Sequence, residues 1–221
     1  MKPLSLLSFP LAATLAFVCA PPSAGAAVVI TNLTGGTQSF SSDISGPTAQ
    51  VFSFPIPNRQ TAFSFTSGPT LSTFVSLDAL VTPGDNSSPL TATLSTGSSV
   101  PGGTNPINIG SFQASTFVAQ VASFSAAPAT TITLQPNTEY WVHLTVPSGG
   151  GIYSIQNADN ATTASGWSLN PTYQRADTAP WTPLSGNLRA RVELTVDQIP
   201  EPGSTLLTII ALSAIALRRR R

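Results

Sequence analysis

Apolar and polar residues alternate along much of this chain with a period of two. Tyr140, Val142, Leu144 and Val146 alternate with Trp141, His143 and Thr145. Leu188, Ala190, Val192, Leu194 and Val196 alternate with Arg189, Arg191, Glu193 and Thr195. Successive side chains of a strand point to opposite faces, so this is the pattern of an antiparallel sheet packed on one side. The same alternation runs through Leu71–Val81 and Leu90–Leu94, and Phe63 and Phe65 share a face of Ala62–Thr66. Shorter strands are expected at Ala27–Leu33, Val51–Phe54 and Thr130–Leu134. Turn-forming residues separate these runs. Pro83-Gly84-Asp85-Asn86 predicts a turn, Gly97–Asn105 a loop, and Gln135-Pro136-Asn137-Thr138 a reversal into the Tyr140 strand. Phe112–Phe124 leaves open whether it holds a short strand pair. No segment of the body has helical periodicity, and no internal repeat is evident. The expected fold is all-β, a single antiparallel β-sandwich or jelly-roll-like domain over residues 27–197.

Both flanks of that domain have a different pattern. Met1-Lys2, the apolar run Leu4–Ala20 and the small-x-small segment Ala24-Gly25-Ala26 predict a signal peptide over residues 1–26, cut before Ala27. Val18 precedes Cys19 where a lipidated cysteine would follow a small residue, which argues against a lipoprotein. Beyond the domain, residues 198–221 have three parts: Pro200-Glu201-Pro202-Gly203, the apolar run Thr205–Leu217, and Arg218-Arg219-Arg220-Arg221. Proline lacks an amide donor and fixes φ, so the first part stays extended and accessible. The thirteen residues of the apolar run span roughly 20 Å as a helix, short of a hydrocarbon core of about 30 Å. Gly203 and Ser204 can lengthen it, and the arginines can snorkel. Four arginines resist crossing and favour the anionic cytoplasmic leaflet, which orients this transmembrane helix with its C-terminus inside.

This tripartite tail resembles the PEP-CTERM sorting signal of Gram-negative bacteria, with Pro200, Glu201 and Pro202 matching the motif. The resemblance implies export across the inner membrane through the Sec translocon, transient anchoring by the helix, and processing by an exosortase. Release to the cell surface or the extracellular medium would follow. A second resemblance lies in Leu134-Gln135-Pro136-Asn137-Thr138-Glu139-Tyr140-Trp141, which is similar to the signature of choice-of-anchor domains, the R-type above all. A glycine-rich loop and Gly166-Trp167 follow it. Such domains precede surface-sorting tails, and the two resemblances together imply association with exopolysaccharide or biofilm material. On physical grounds Pro136-Asn137 makes the turn, while Tyr140 and Trp141 fall on opposite faces of a strand, one toward each layer.

Charge narrows the function classes. Between residues 27 and 199 there are four arginines (Arg59, Arg175, Arg189, Arg191), eight acids and no lysine, a net charge of about −4. Nucleic-acid binding needs a basic footprint, which this body lacks. Cys19 is the only cysteine and leaves with the signal peptide, so neither disulfide nor thiol chemistry is expected.

His143 is the only histidine. That excludes a multi-histidine metal site, and a solvated or hydrogen-bonded strand histidine is the expected role. Gly97-Ser98-Ser99-Val100-Pro101 lacks the closing glycine of a nucleophile elbow. Distant paired carboxylates for glycoside hydrolysis are a further alternative, with Glu139, Asp159 and Glu193 as candidates. Asp85-Asn86 and Asp159-Asn160 carry oxygen ligands without the spacing of an EF-hand, and turn chemistry accounts for both. No cofactor and no metal are therefore expected. The binding candidates are aromatic: Trp141, Trp167 and Trp181, with Tyr153 and Tyr173, either offer flat faces for sugar stacking or fill the core. Trp181, in Ala179-Pro180-Trp181-Thr182-Pro183, has the most loop-like context. The expectation is a non-enzymatic, structural or adhesive envelope or matrix protein, with a carbohydrate-binding module and a carboxylate-based glycoside hydrolase as the alternatives.

Overall fold

Strand-forming alternation dominates the body, and the computed structural model resolves it into seventeen strands with one short 3-10 turn at Ser185–Asn187. It describes residues 25–33, 38–51, 54–85, 87–97, 101, 104–127 and 129–199. The expected sorting tail, from Pro200 through Arg221, lies outside the described residues, as does residues 1–24 of the expected signal peptide.

The first strands are β1 (Ala26–Thr31), β2 (Gln38–Ser45), β3 (Gln50–Val51), β4 (Phe54–Pro55), β5 (Arg59–Thr66) and β6 (Ser72–Asp85). Then come β7 (Leu90–Thr96), β8 (Thr104–Phe112), β9 (Gln120–Phe124), β10 (Thr133–Leu134), β11 (Glu139–Thr145) and β12 (Ile152–Ala158). The last are β13 (Thr162–Thr163), β14 (Ser168–Ala176), β15 (Thr182–Pro183), β16 (Arg189–Ala190) and β17 (Val192–Gln198). Two antiparallel sheets result. The nine-stranded sheet is built around β6, and the six-stranded sheet has the order β15-β14-β5-β11-β7-β8. β3 and β4 form a separate hairpin.

The inward positions are the apolar ones. Phe63 and Phe65 of β5, Leu90, Ala92 and Leu94 of β7, and Tyr140, Val142 and Leu144 of β11 meet Leu77, Ala79 and Val81 of β6, Phe124 of β9, and Val192, Leu194 and Val196 of β17 in one core between the sheets. A buried phenylalanine of this kind is worth about 3–5 kcal/mol against alanine. The structure is all-β, with the antiparallel pairing that the alternation predicts.

Three local expectations are corrected. Pro83-Gly84 does not turn the chain, because β6 runs on to Asp85 opposite β12. Its pairing with β9 ends at Val81, so Pro83 has a strand on one edge only, where its missing donor is tolerated. The pairing slips near Gly84, a β-bulge opposite Ile152 and Tyr153. The turn comes after β6, where Asp85 Oδ1 accepts from the Ser87 amide at 2.8 Å. Second, the loop expected at Gly97–Asn105 gives way at Thr104 to a strand, Thr104–Phe112, at the open edge of the six-stranded sheet, where the interruptions at Pro106 and Gly110 cost little. Third, Trp141 points away from the opposite layer, onto the outer face of its own sheet.

The reversal before β11 carries the second resemblance and is a tightly bonded corner. Asn137 adopts φ +50°, a left-handed value that asparagine accepts readily. The buried Ser67 hydroxyl donates to the Gln135 carbonyl at 2.5 Å and accepts from the Thr138 amide at 2.9 Å. The Tyr140 hydroxyl accepts from the Gln135 amide at 2.6 Å, tying the strand back to its own turn.

Candidate functional site

Functional side chains collect on the outer face of the six-stranded sheet. In β11 the core residues Tyr140, Val142 and Leu144 leave Glu139, Trp141 and His143 on that outer face. Register places Ser64 and Ser95 beside Trp141, and Ala62 and Thr93 beside His143. In β14 a bulge between Leu169 and Thr172 shifts the phase. Asn170 and Tyr173 consequently face the same way although three residues apart.

At one end of this face the side chains form a polar cluster. Glu139 Oε1 accepts from Ser64 Oγ at 2.7 Å and from Asn170 Nδ2 at 3.2 Å, and Asn170 Nδ2 also donates to Ser64 Oγ at 2.9 Å. At the other end the rings gather. Tyr173 meets Trp141 edge-on at 5.4 Å, made possible by the small Ala62 opposite it. His143 meets Trp181 edge-on at 5.5 Å, and the Arg175 guanidinium lies 4.6 Å from the Trp181 ring centre. Such a cation–π contact contributes about 0.5–2 kcal/mol, depending on how far it is desolvated. Arg175 also donates from Nε and Nη2 to Gln60 Oε1, at 3.0 and 2.7 Å.

His143 is therefore neither solvated nor hydrogen-bonded through Nε2, which is buried without a partner. Burial among these rings, and secondly the positive charge of Arg175, push its pKa down to about 4. At neutral pH it is an uncharged aromatic filler.

The three tryptophans separate clearly. Trp167 is in the core, stacked on Phe65 at 6.3 Å, and a side chain at Gly68 would run into its indole. Trp141 is only 2% exposed. Neither presents a free ring face. Trp181 is partly exposed beside the turn that joins β14 to β15. Tyr153 is fully buried, its hydroxyl donating to the Ser88 carbonyl at 2.8 Å.

The candidate carboxylates do not converge. Glu139 is on the outer face of one sheet, and Glu193 is on the other sheet, opposite Asp78 and bonded to Thr31 Oγ1 at 2.9 Å. Asp159 is in the segment between β12 and β13, where its backbone carbonyl accepts from Arg189 Nη1. Glu139 is also the only acid in the strands of its sheet. Among the described residues no three His, Cys, Asp or Glu side chains cluster as metal ligands.

No family model matches the chain, and no curated protein matches it.

A cleft of about 320 Å3 opens among Arg59, Gln174, Arg175 and Thr182, with Ala179 and Pro180 of the connecting turn at its side; register sets Gln174, Ala176 and Thr182 on the face opposite the Arg175–Gln60 pair, where Gln174 Nε2 donates to the Asp43 carbonyl at 2.8 Å. The turn is held by mutual bonds: the Asp177 amide donates to the Asn58 carbonyl at 2.7 Å, and Asp177 Oδ1 accepts from the Asn58 amide at 3.0 Å. The cleft lining supplies a cation, an amide and a hydroxyl, while the Trp181 ring belongs to the outer-face cluster with Arg175 and His143. Of the outer-face residues, Glu139, Trp141, His143, Tyr173 and Trp181 stand out in the sequence. Arg175 and Gln60 become neighbours through strand pairing across more than a hundred residues.

Proposed function

We propose that this chain is an exported envelope or extracellular-matrix protein, a β-sandwich cargo sorted through Pro200-Glu201-Pro202 by an exosortase, with a structural or adhesive role and no catalysis. The observation that carries this reading is the order of parts in residues 200–221: an extended Pro-Glu-Pro, an apolar run and four arginines. The body fits such a cargo. It has few charges and no cysteine after residue 19. Its last strand ends at Gln198, close to the proposed recognition motif.

The test is intact mass and fractionation of the native protein from its own host, with and without Glu201→Ala. The proposal expects wild type to lose both ends and leave the inner membrane, with Glu201→Ala retained there at full C-terminal length. If both proteins keep their arginines and remain in the membrane, the tail is a plain anchor and the sorting reading is wrong.

A second reading, a carbohydrate-binding module for exopolysaccharide, is favoured by one specific observation: Trp181, unlike Trp141 and Trp167, is partly exposed. It rests on Trp181 rather than on Trp141 or Trp167, whose rings are covered.

A further inference from the structure

We infer that the outer edge of β9 is a homotypic interface, on which β9 of a second copy of this chain pairs antiparallel about a two-fold axis. Such a dimer adds self-association to the envelope role proposed above, and it does not depend on how the tail is processed.

β9 borders the nine-stranded sheet. It pairs with Leu77–Val81 of β6, and no strand among the described residues pairs with its other side. Alternate residues of an antiparallel strand aim their N–H and C=O groups away from the neighbour they pair with. β9 therefore presents an unfilled row of donors and acceptors, which natural sheets usually guard. Other edges here have such guards. β8 contains Pro106 and a register shift beside Gly110, and β15 is two residues long and ends in Pro183. In β2 the Asp43 carbonyl already accepts from Gln174 Nε2 at 2.8 Å. Gln120-Val121-Ala122-Ser123-Phe124 has no proline, no glycine and no charge.

Apolar side chains continue this edge. Phe117 and Val118, in the segment leading into β9, are 62% and 65% exposed, and Val121 within it is 47% exposed. Gln120 Nε2 donates to the Thr116 carbonyl at 3.0 Å, closing the turn that holds the first two. Apolar groups exposed together in this way mark an interaction surface, whereas scattered ones do not.

Charge identifies the partner as another copy. Residues 86–138, which include all of β7 to β10, contain no ionisable side chain, while the body as a whole carries about −4. Two copies repel through their charged surfaces and can meet here without opposing charges. Asp78, opposite Ser123, is the acid on β6 beside this edge. In the dimer it stays at least three strand spacings from its counterpart, roughly 14 Å, which exceeds a Debye length of about 8–10 Å. An antiparallel edge is also complementary to itself, so a two-fold axis near Ala122 fills both rows at once. A bilayer fits less well, because lipid supplies no partners for backbone groups. Phe117 and Val118 also precede Gln120, toward the Asp85 end of β6, whereas Gln198, which leads to the tail, pairs with Ser72 at the other end.

The test follows the full-length chain in detergent by sedimentation over a concentration series, with amide hydrogen exchange read at Gln120–Phe124. Wild type is expected to dimerise, and the β9 amides that face away from β6 should exchange more slowly as concentration rises. Val121→Lys should weaken dimerisation about tenfold or more, because the two-fold axis brings the two ammonium groups near each other. Val28→Lys on β1, at a position 48% exposed, should leave the dimer intact and controls for added lysine. Phe117→Ser should weaken dimerisation by a smaller factor. Unchanged exchange in β6 shows that the variants fold. A monomer at every concentration overturns the proposal, as does a dimer that survives Val121→Lys and so forms elsewhere in the chain. A dimer lost in Val28→Lys but kept in Val121→Lys moves the interface to β1. Protection of the β9 amides in a monomer, seen only when host polysaccharide is added, assigns the edge to a glycan and overturns the proposal too.

Discussion

Half-buried His143, whose Nε2 is wholly covered, gives the most direct prediction. In the folded chain His143 titrates at about 4, whereas an unfolded histidine titrates at about 6.5. Above pH 6.5 the ring is neutral in both states and titration costs nothing. As the pH falls below 6.5 the unfolded chain takes up a proton that the folded chain refuses. Stability is therefore lost between 6.5 and about 4, at up to one proton's worth per pH unit. By pH 5 the loss is about 2 kcal/mol, and below pH 4 it levels off near 3 kcal/mol. Only Arg175 faces the ring as a charged group, because the positions beside His143 on β5 and β7 are Ala62 and Thr93.

The perturbation is His143→Leu, which keeps a similar bulk against Trp181 and removes the titration. Urea denaturation of wild type and variant at intervals from pH 7.5 to 4.5 yields the difference curve, in which the carboxylates common to both cancel. The wild type should lose about 2 kcal/mol more than the variant between pH 7.5 and 5, equivalent to a Tm difference of roughly 4–8 °C for a domain of this size. Because the chain holds a single histidine, its ring resonance can be followed by NMR without assignment. A midpoint above pH 6, or parallel stability curves, would refute the burial of this side chain.

Two further outcomes probe the packing, beside the Glu201 experiment above. Tyr140→Phe removes the acceptor for the Gln135 amide and should cost about 1–3 kcal/mol in denaturant titration. A loss below about 0.5 kcal/mol would mean that water replaces the bond. Asp78 faces Glu193 directly across β6 and β17, and like charges so placed repel by about 0.2–1 kcal/mol. Asp78→Thr should accordingly raise stability by a few tenths of a kcal/mol or more, with the gain shrinking in high salt; a destabilised variant would contradict the register.

The sequence alone carried the period-two pattern, and with it the sheet class, the inward residues of β11 and β17, and the absence of a basic footprint. These are local properties: whether a residue alternates apolar with polar depends on its immediate neighbours in the chain. Strands without that pattern were not legible. β2 is mostly polar, Pro106 and Gly110 interrupt β8, and Asn170-Pro171 interrupt β14. Their pairing partners supply the order that their own residues do not announce. The face that collects Arg175, Gln60, Trp181 and His143 was hidden for the same reason. Gln60 and Arg175 are 115 positions apart, and Ser64 and Asn170 are 106 apart. Only antiparallel register, together with a bulge in β14, sets them side by side. Tertiary structure also separated the tryptophans, of which the sequence had marked only Trp181, by its loop-like context. Trp167 follows a Gly166 with φ +80° into the core. Trp141 turns to the outer face because Tyr140 already takes the inner one, and Trp181 stays at the rim, since the turn before it carries the chain past the edge of the sheet.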